Sequence, residues 1–286
     1  MCWLRCGGDA ALLGFCNQST ISRRSQNALK VFKLRPSPDV PSHLVAGAGT
    51  LLQMEREVHQ LYRLQGRGRL RLHAPYWASR RLDNQLGSRW LVNPARDREP
   101  VAEALVLLEE RVIDALIAEN SQRPAADDPT FVCFDLYRDH LRLCALNGED
   151  NPLCHEKNLR NQDIGALAEI KPLQFLSRSS KECAFELFEY LYGDPPASST
   201  GGANSKTDAN ANSQPVSFFY TSSLTLPEFC DVSEVDCACD FEATESLVVR
   251  RELAQEPCIS QLLERLAESY LTAVRDHPGV TIVAGS

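Results

Sequence analysis

The sequence has no run of 18 apolar residues, which excludes a membrane-spanning helix. The short apolar run from Ala10 to Phe15 follows Asp9 and makes a poor secretory signal. Regular cysteine spacing is also missing. The 11 cysteines are odd in number and contain no Cys-x-x-Cys pair, so they read as free thiols in a reducing compartment, nucleus or cytoplasm. No internal repeat is present. With 43% hydrophobic and 24% charged residues, the 286-residue chain has ordinary globular composition and is long enough for one two-lobed domain or two small ones.

The net charge of -8 is unevenly spread. Up to Arg98 there are 16 Lys/Arg against 6 Asp/Glu, and from Glu99 onward 14 against 32. A basic third ahead of an acidic remainder suggests an anionic partner for the first part: nucleic acid, a phosphorylated small molecule, or the acidic part itself.

Along the chain, residues 2–16 read as strand, glycine turn, strand. A polar turn spans 17–27, and a lysine-bearing strand spans Ala28 to Leu34. Leu51 to Leu64 has helical spacing, with Leu51, Met54, Val58, Leu61 and Tyr62 on one side. Residues 65–98 hold eight arginines and no lysine, interleaved with Tyr76, Trp77 and Trp90. A helix is expected from Pro100 to near Asn120. A hairpin is expected from Thr130–Tyr137 to Leu141–Leu146 through Arg138-Asp139-His140. A short strand at 167–170, a helix at 179–192, a disordered stretch at 197–214, a strand at 216–226, an acidic loop, a helix at 260–274 and a last strand at 280–283 follow. The division expected is an N-terminal nucleotide-binding lobe over 1–126, with a basic insertion near 38–85, and a C-terminal lobe over 127–286.

Three groups of residues suit phosphate chemistry. The Gly7-Gly8 turn lets backbone amides approach phosphates. Lys30 on the next strand neutralises them, and Glu55 or Glu57 on the following helix steadies that lysine, which is the layout of a kinase nucleotide lobe. Glu169-Ile170-Lys171-Pro172 alternates carboxylate and cation at a strand end. Asp276 sits at a helix end before a strand, a position suited to a base. Cys230, Cys237 and Cys239 match no common zinc module, and no metal ligand is assigned.

Taken in order, these pieces resemble the inositol-pentakisphosphate 2-kinase family. Trp3-Leu4-Arg5-Cys6-Gly7-Gly8-Asp9-Ala10-Ala11-Leu12-Leu13 is similar to that family's opening glycine pattern, and Leu29 to Arg35 to its lysine strand. Gln85 to Val92 is similar to its Leu-Leu-Gly-x-x-Tyr-Val, Gln122-Arg123-Pro124 to its helix ending in Arg-Pro, Glu169 to Pro172 to its Glu-Ile-Lys-Pro-Lys, and Thr272 to Val283 to its terminal aspartate segment. Its Asp-Leu-Asp-x-Lys-Pro segment has no counterpart. The resemblance implies an α+β, two-lobed kinase-like fold and transfer of phosphate from ATP, with Mg²⁺, to the 2-hydroxyl of inositol 1,3,4,5,6-pentakisphosphate. It implies Asp276 as base, Gly7, Gly8, Lys30, Asn147 and Glu169 at the nucleotide, and Lys171 and Arg123 at the substrate. A monomer without membrane or nucleic-acid partners goes with it. The competing reading is a non-catalytic subunit whose basic third binds RNA or an acidic partner, its arginines and aromatics suited to stacking on single strands.

Overall fold

Four successive residues, Ala115 to Ala118, are completely buried, and they form the middle of a sheet. A run buried on both faces is typical of a central parallel strand covered by helices. The computed structural model describes residues 7–33, 50–82, 85–93, 101–119, 123–146, 150–160, 163, 173–175, 216–226, 232–239, 242–274 and 280–283.

The chain opens with two helices, α1 (Gly7–Leu13) and α2 (Gln18–Val31), followed by α3 (Thr50–Leu64). Next come β1 (Leu70–His73), α4 (Tyr76–Leu82), β2 (Trp90–Val92), α5 (Val101–Glu109), β3 (Ala115–Glu119) and β4 (Phe131–His140). A second group holds β5 (Arg142–Leu146), β6 (Leu159–Arg160), β7 (Leu173–Phe175), β8 (Val216–Thr221), β9 (Val232–Glu234) and β10 (Cys237–Ala238). The chain then runs through β11 (Glu242–Arg250), α6 (Pro257–Val274) and β12 (Thr281–Ile282).

The first sheet has the order β12-β4-β11-β3-β1-β2. Its β2-β1-β3 part is parallel, and β11, β4 and β12 continue it in antiparallel pairing. The second sheet has the order β7-β8-β5-β9, with a β10-β6 ribbon beside it. Each sheet has its own core. Leu70, Leu72, Leu136, Tyr137, Leu262, Leu266 and Tyr270 belong to the first, and Leu143, Leu153, Phe218 and Tyr220 to the second. The first sheet spans the expected lobe boundary at 126, with β3 before it and β4 after it.

Several expectations are corrected. Residues 7–33 form two helices and a turn, where strands were expected. Gly14 N donates to Ala10 O at 2.9 Å just past the end of α1, Phe15 takes φ 48°, and Phe15 N and Cys16 N donate to Leu12 O (3.2 Å) and Ala11 O (3.0 Å). That pattern closes a helix without the usual glycine at the left-handed position. Asn17 then caps α2, its side chain accepting from Thr20 N at 2.9 Å. The helix expected from 100 to 120 stops at Glu109, because Arg111 turns to φ 58° and the chain re-enters the core as β3. The expected hairpin does not form. One residue, Leu141, separates β4 from β5, too few to reverse the chain, so it runs on from the first sheet into the second. The helices expected at 51–64 and 260–274 are present as α3 and α6. The features expected at 167–170, 179–192 and 197–214 lie outside the described residues. No helix among the described residues is long and apolar enough to cross a membrane.

Helix α3 is fastened by one buried carboxylate. Asp114, fully buried, accepts from Arg63 Nε (2.8 Å), Arg63 Nη2 (2.9 Å), Gln60 Nε2 (3.1 Å) and Arg71 N (2.9 Å). The opposite face of α3 exposes Leu51, Met54, Val58, Leu61 and Tyr62. The apolar stripe read from the sequence therefore faces outward, and the inward face carries Gln60 and Arg63 beside Leu52 and Leu64.

Candidate functional site

The strand order fixes where a ligand can sit. From β1 the chain passes through α4 to β2 on one side, then through α5 to β3 on the other. In such sheets the crevice lies outside the carboxyl ends of the strands where the winding reverses, here between β1 and β3. Asn93 braces this end: its Oδ1 accepts from Ala74 N at 2.7 Å and its Nδ2 donates to Ala74 O at 3.0 Å, joining the exits of β1 and β2. Because β11 and β3 are antiparallel, with Glu245 opposite Glu119, the start of β11 and the end of β4 come to the same end. Both segments that cross to the second sheet, β4–β5 and β10–β11, leave from there.

Polar residues are buried at this crossing. On β4, Tyr137 and Asp139 point inward while Arg138 and His140 are exposed. Asp139 Oδ2 accepts from the Tyr137 hydroxyl at 3.0 Å and from Ser223 N, on the turn after β8, at 2.6 Å. The Tyr270 hydroxyl of α6 donates to Glu245 Oε2 at 2.5 Å, and the Tyr137 and Tyr270 rings lie 6.0 Å apart. Arg81 of α4 stacks over the Tyr270 ring at 4.7 Å. The turn itself is a knot of hydroxyls, with Thr225 Oγ1 2.5 Å from Thr221 Oγ1 and 3.0 Å from Ser222 Oγ. Burial, followed by the nearby carboxylates, pushes both tyrosine hydroxyls well above their ordinary range. They stay neutral and act as donors. The arrangement gathers carboxylates, hydroxyls and a guanidinium at the point where Asp139 and Ser223 link the two sheets.

The expected site residues are not brought together among the described residues. Gly7 and Gly8 begin α1, and Lys30 is exposed in the last turn of α2. Arg123 is half-buried and donates to Asp135 Oδ1 at 2.5 Å. Asn147, Glu169, Lys171 and Asp276 lie outside the described residues. Among the described residues no group of three or more His, Cys, Asp or Glu could hold a metal ion. Three arginines of the stretch serve the fold: Arg71 Nη1 donates to Val112 O (2.8 Å), Arg89 Nη2 to Leu64 O (2.9 Å) and Arg69 Nη2 to Trp90 O (2.7 Å), and the Trp90 ring is in the core. Sequence reasoning passed over Asp139, Tyr137, Ser223 and Glu245. The alternation of Tyr137 and Asp139 against Arg138 and His140 was the available signal.

No protein-family model matches the chain, and no curated protein matches it. Solved structures do. The regulatory domain of MetR, a LysR-family regulator from N. meningitidis, is 14% identical, with a TM-score of 0.50 over 75% of this chain and 98% of that one. A second structure of the same domain gives 12% identity and a TM-score of 0.50 over the same shares. The fold is similar to that of the MetR regulatory domain. Full-length CbnR, solved with its target DNA, is 15% identical, with a TM-score of 0.48 over 92% of this chain and 94% of that one.

This fold overturns the kinase reading. The two-lobed kinase-like architecture, the membership of the inositol-pentakisphosphate 2-kinase family, the phosphotransferase activity and the inositol pentakisphosphate substrate are all withdrawn; the fold says nothing of ATP or Mg²⁺. The expectation of a monomer without nucleic acid is withdrawn with them, since the fold is one found in a regulator and α3 exposes an uncovered apolar stripe.

Proposed function

We propose that this chain is a DNA-binding transcription regulator whose activity is set by a small molecule held between its two sheets. The observation that carries the reading is the order of parts: a unit with the MetR regulatory-domain fold, preceded by a helix–turn–helix pair in the basic third of the chain. Helix α2 buries nothing. Its first turns present Gln18, Ser19, Ser22, Arg23 and Arg24 to solvent, and it contains no acidic residue. A helix of that kind, supported by a short helix across a tight turn, is built for the major groove, where amide, hydroxyl and guanidinium groups meet base edges and phosphates. Helix α3 joins this pair to the sheets. Its stripe at positions 51, 54, 58 and 61 has the three–four spacing of a coiled-coil seam and fits a second copy of the chain, giving two reading heads per molecule.

Selection of duplexes from a random-sequence DNA library by the full chain tests this. The expected result is enrichment of a site with two related halves, lost when Arg23 and Arg24 are both changed to Ala. Binding no stronger than to unselected duplex would overturn it.

A further inference from the structure

We propose that Asp139 anchors a protonated amine of the effector. The inference deepens the regulator reading and rests on it. Asp139 is 4% exposed, on the strand that carries the chain from the first sheet to the second. Both hydrogen bonds it receives fall on Oδ2. Among the described residues, none falls on Oδ1, and no Lys, Arg or His pairs with the group. A carboxylate withdrawn from water without a cation is expensive, and charged side chains are seldom buried unless paired. The buried Asp114 shows the usual solution in this same chain, an arginine at 2.8 Å.

A second observation stands beside it. Ser223, whose backbone N–H holds Asp139, is 1% exposed, and its hydroxyl has no partner among the described residues. An ammonium has three donors and no acceptor. One can go to the unused Asp139 Oδ1 and another to Ser223 Oγ, so a single ligand group satisfies both. Next to Asp139 and Ser223 the groups are neutral or acidic. Tyr137 contributes a neutral hydroxyl, Ser222 and Thr225 contribute hydroxyls, and the other buried carboxylate here, Glu245, is acidic as well. The one cation nearby, Arg81, is stacked on Tyr270 and forms no bond to Asp139, and its buried Nε and Nη2 have no partner among the described residues. A carboxylate ligand placed at Ser223 would meet Asp139 across a low-dielectric gap and be repelled. Since Asp139 on β4 and Ser223 after β8 belong to different sheets, an amine held by both fixes how the sheets sit together.

The test uses the full chain with n-butylammonium as probe, and butyrate and 1-butanol as controls of like size, at matched ionic strength. Titration calorimetry and amide chemical-shift changes read binding. The expected order is ammonium well ahead of both controls. Asp139→Asn keeps an oxygen for Tyr137 and Ser223 N, so the fold persists, and it should weaken the ammonium by roughly thirtyfold or more. Ser223→Ala removes only the orphan hydroxyl and should weaken it several-fold with thermal stability unchanged. Equal response to the three probes, or an undiminished ammonium response in Asp139→Asn, would overturn the inference. A chain that binds its selected DNA yet ignores butylammonium leaves the regulator reading standing and this inference refuted. A chain that takes butylammonium through Asp139 but binds no DNA site supports the inference as a binding site and refutes the regulator reading.

Discussion

Changing Arg63 to Met would expose how α3 is held. Arg63 supplies two of the four hydrogen bonds to Asp114, and both side chains are buried. Methionine fills a similar volume, so packing changes little and the electrostatic loss dominates. Removing one partner of a buried pair costs about 3–5 kcal/mol. Gln60 Nε2 and Arg71 N still serve the carboxylate, which places the expected loss near the lower end, about 3 kcal/mol. For a unit of this size that lowers Tm by roughly 6–12 °C. Adding Asp114→Asn to Arg63→Met removes the uncompensated charge and should restore a good part of the loss, as expected for two residues in one network. Denaturant unfolding at constant m-value measures the stability, and amide exchange along 50–64 shows whether α3 loosens first. A loss under about 1 kcal/mol for Arg63→Met, or no recovery in the double variant, would refute the reasoning.

Other consequences can be checked one by one. Phe15 is exposed and holds φ 48°, so Phe15→Gly should stabilise the α1–α2 pair by about 1 kcal/mol, read as raised helical signal on heating; a loss would contradict the closing motif. Val58→Asp places a charge in the exposed stripe of α3, so light scattering should show a dimer becoming a monomer with little change in monomer stability; a wild-type chain that is monomeric at tens of micromolar would remove the self-association. Burial works to raise the Asp135 pKa, but hydrogen bonds from Arg138 and Ser246 and the charges of Arg123 and Arg138 outweigh it, so the folded value is lowered. Its stabilising contribution is therefore complete above the ordinary carboxylate value of about 4 and disappears as pH falls through the folded value. Asp135→Asn should flatten the acid side of the stability–pH curve, and an unchanged acid limb would contradict the sign.

Sequence reading succeeds where burial leaves a period. Helix α6 shows Leu262, Leu266 and Tyr270 on one face, all fully buried, and its extent is legible. Helix α3 is legible as a helix, but its stripe misleads: the apolar side faces solvent, and Gln60 and Arg63 face the core because Asp114 waits there. Helix α2 leaves no stripe, since it buries nothing, and its only local signature is the Asn17 cap. The end of the run after Pro100 is hidden for the opposite reason. Leu108, Val112 and Leu116 keep helical spacing, yet Leu116 belongs to a strand buried on both faces, where apolar residues need no period. The site is the hardest part. Asp139 and Ser223 lie 84 positions apart and meet only because β4 runs past its sheet into the next. Glycines and a lysine in a plausible order suggested a phosphate site, but Gly7, Gly8 and Lys30 belong to helices.

The salt dependence of DNA binding by the full chain tests the central claim most directly. A dimer offering Arg23, Arg24, Lys30 and Lys33 from each copy should release several counterions, so log K against log salt should fall with a slope of about -4 or steeper. Arg23→Ala with Arg24→Ala should reduce that slope by roughly two or more contacts' worth. A flat plot, or a slope indifferent to both substitutions, would contradict the account.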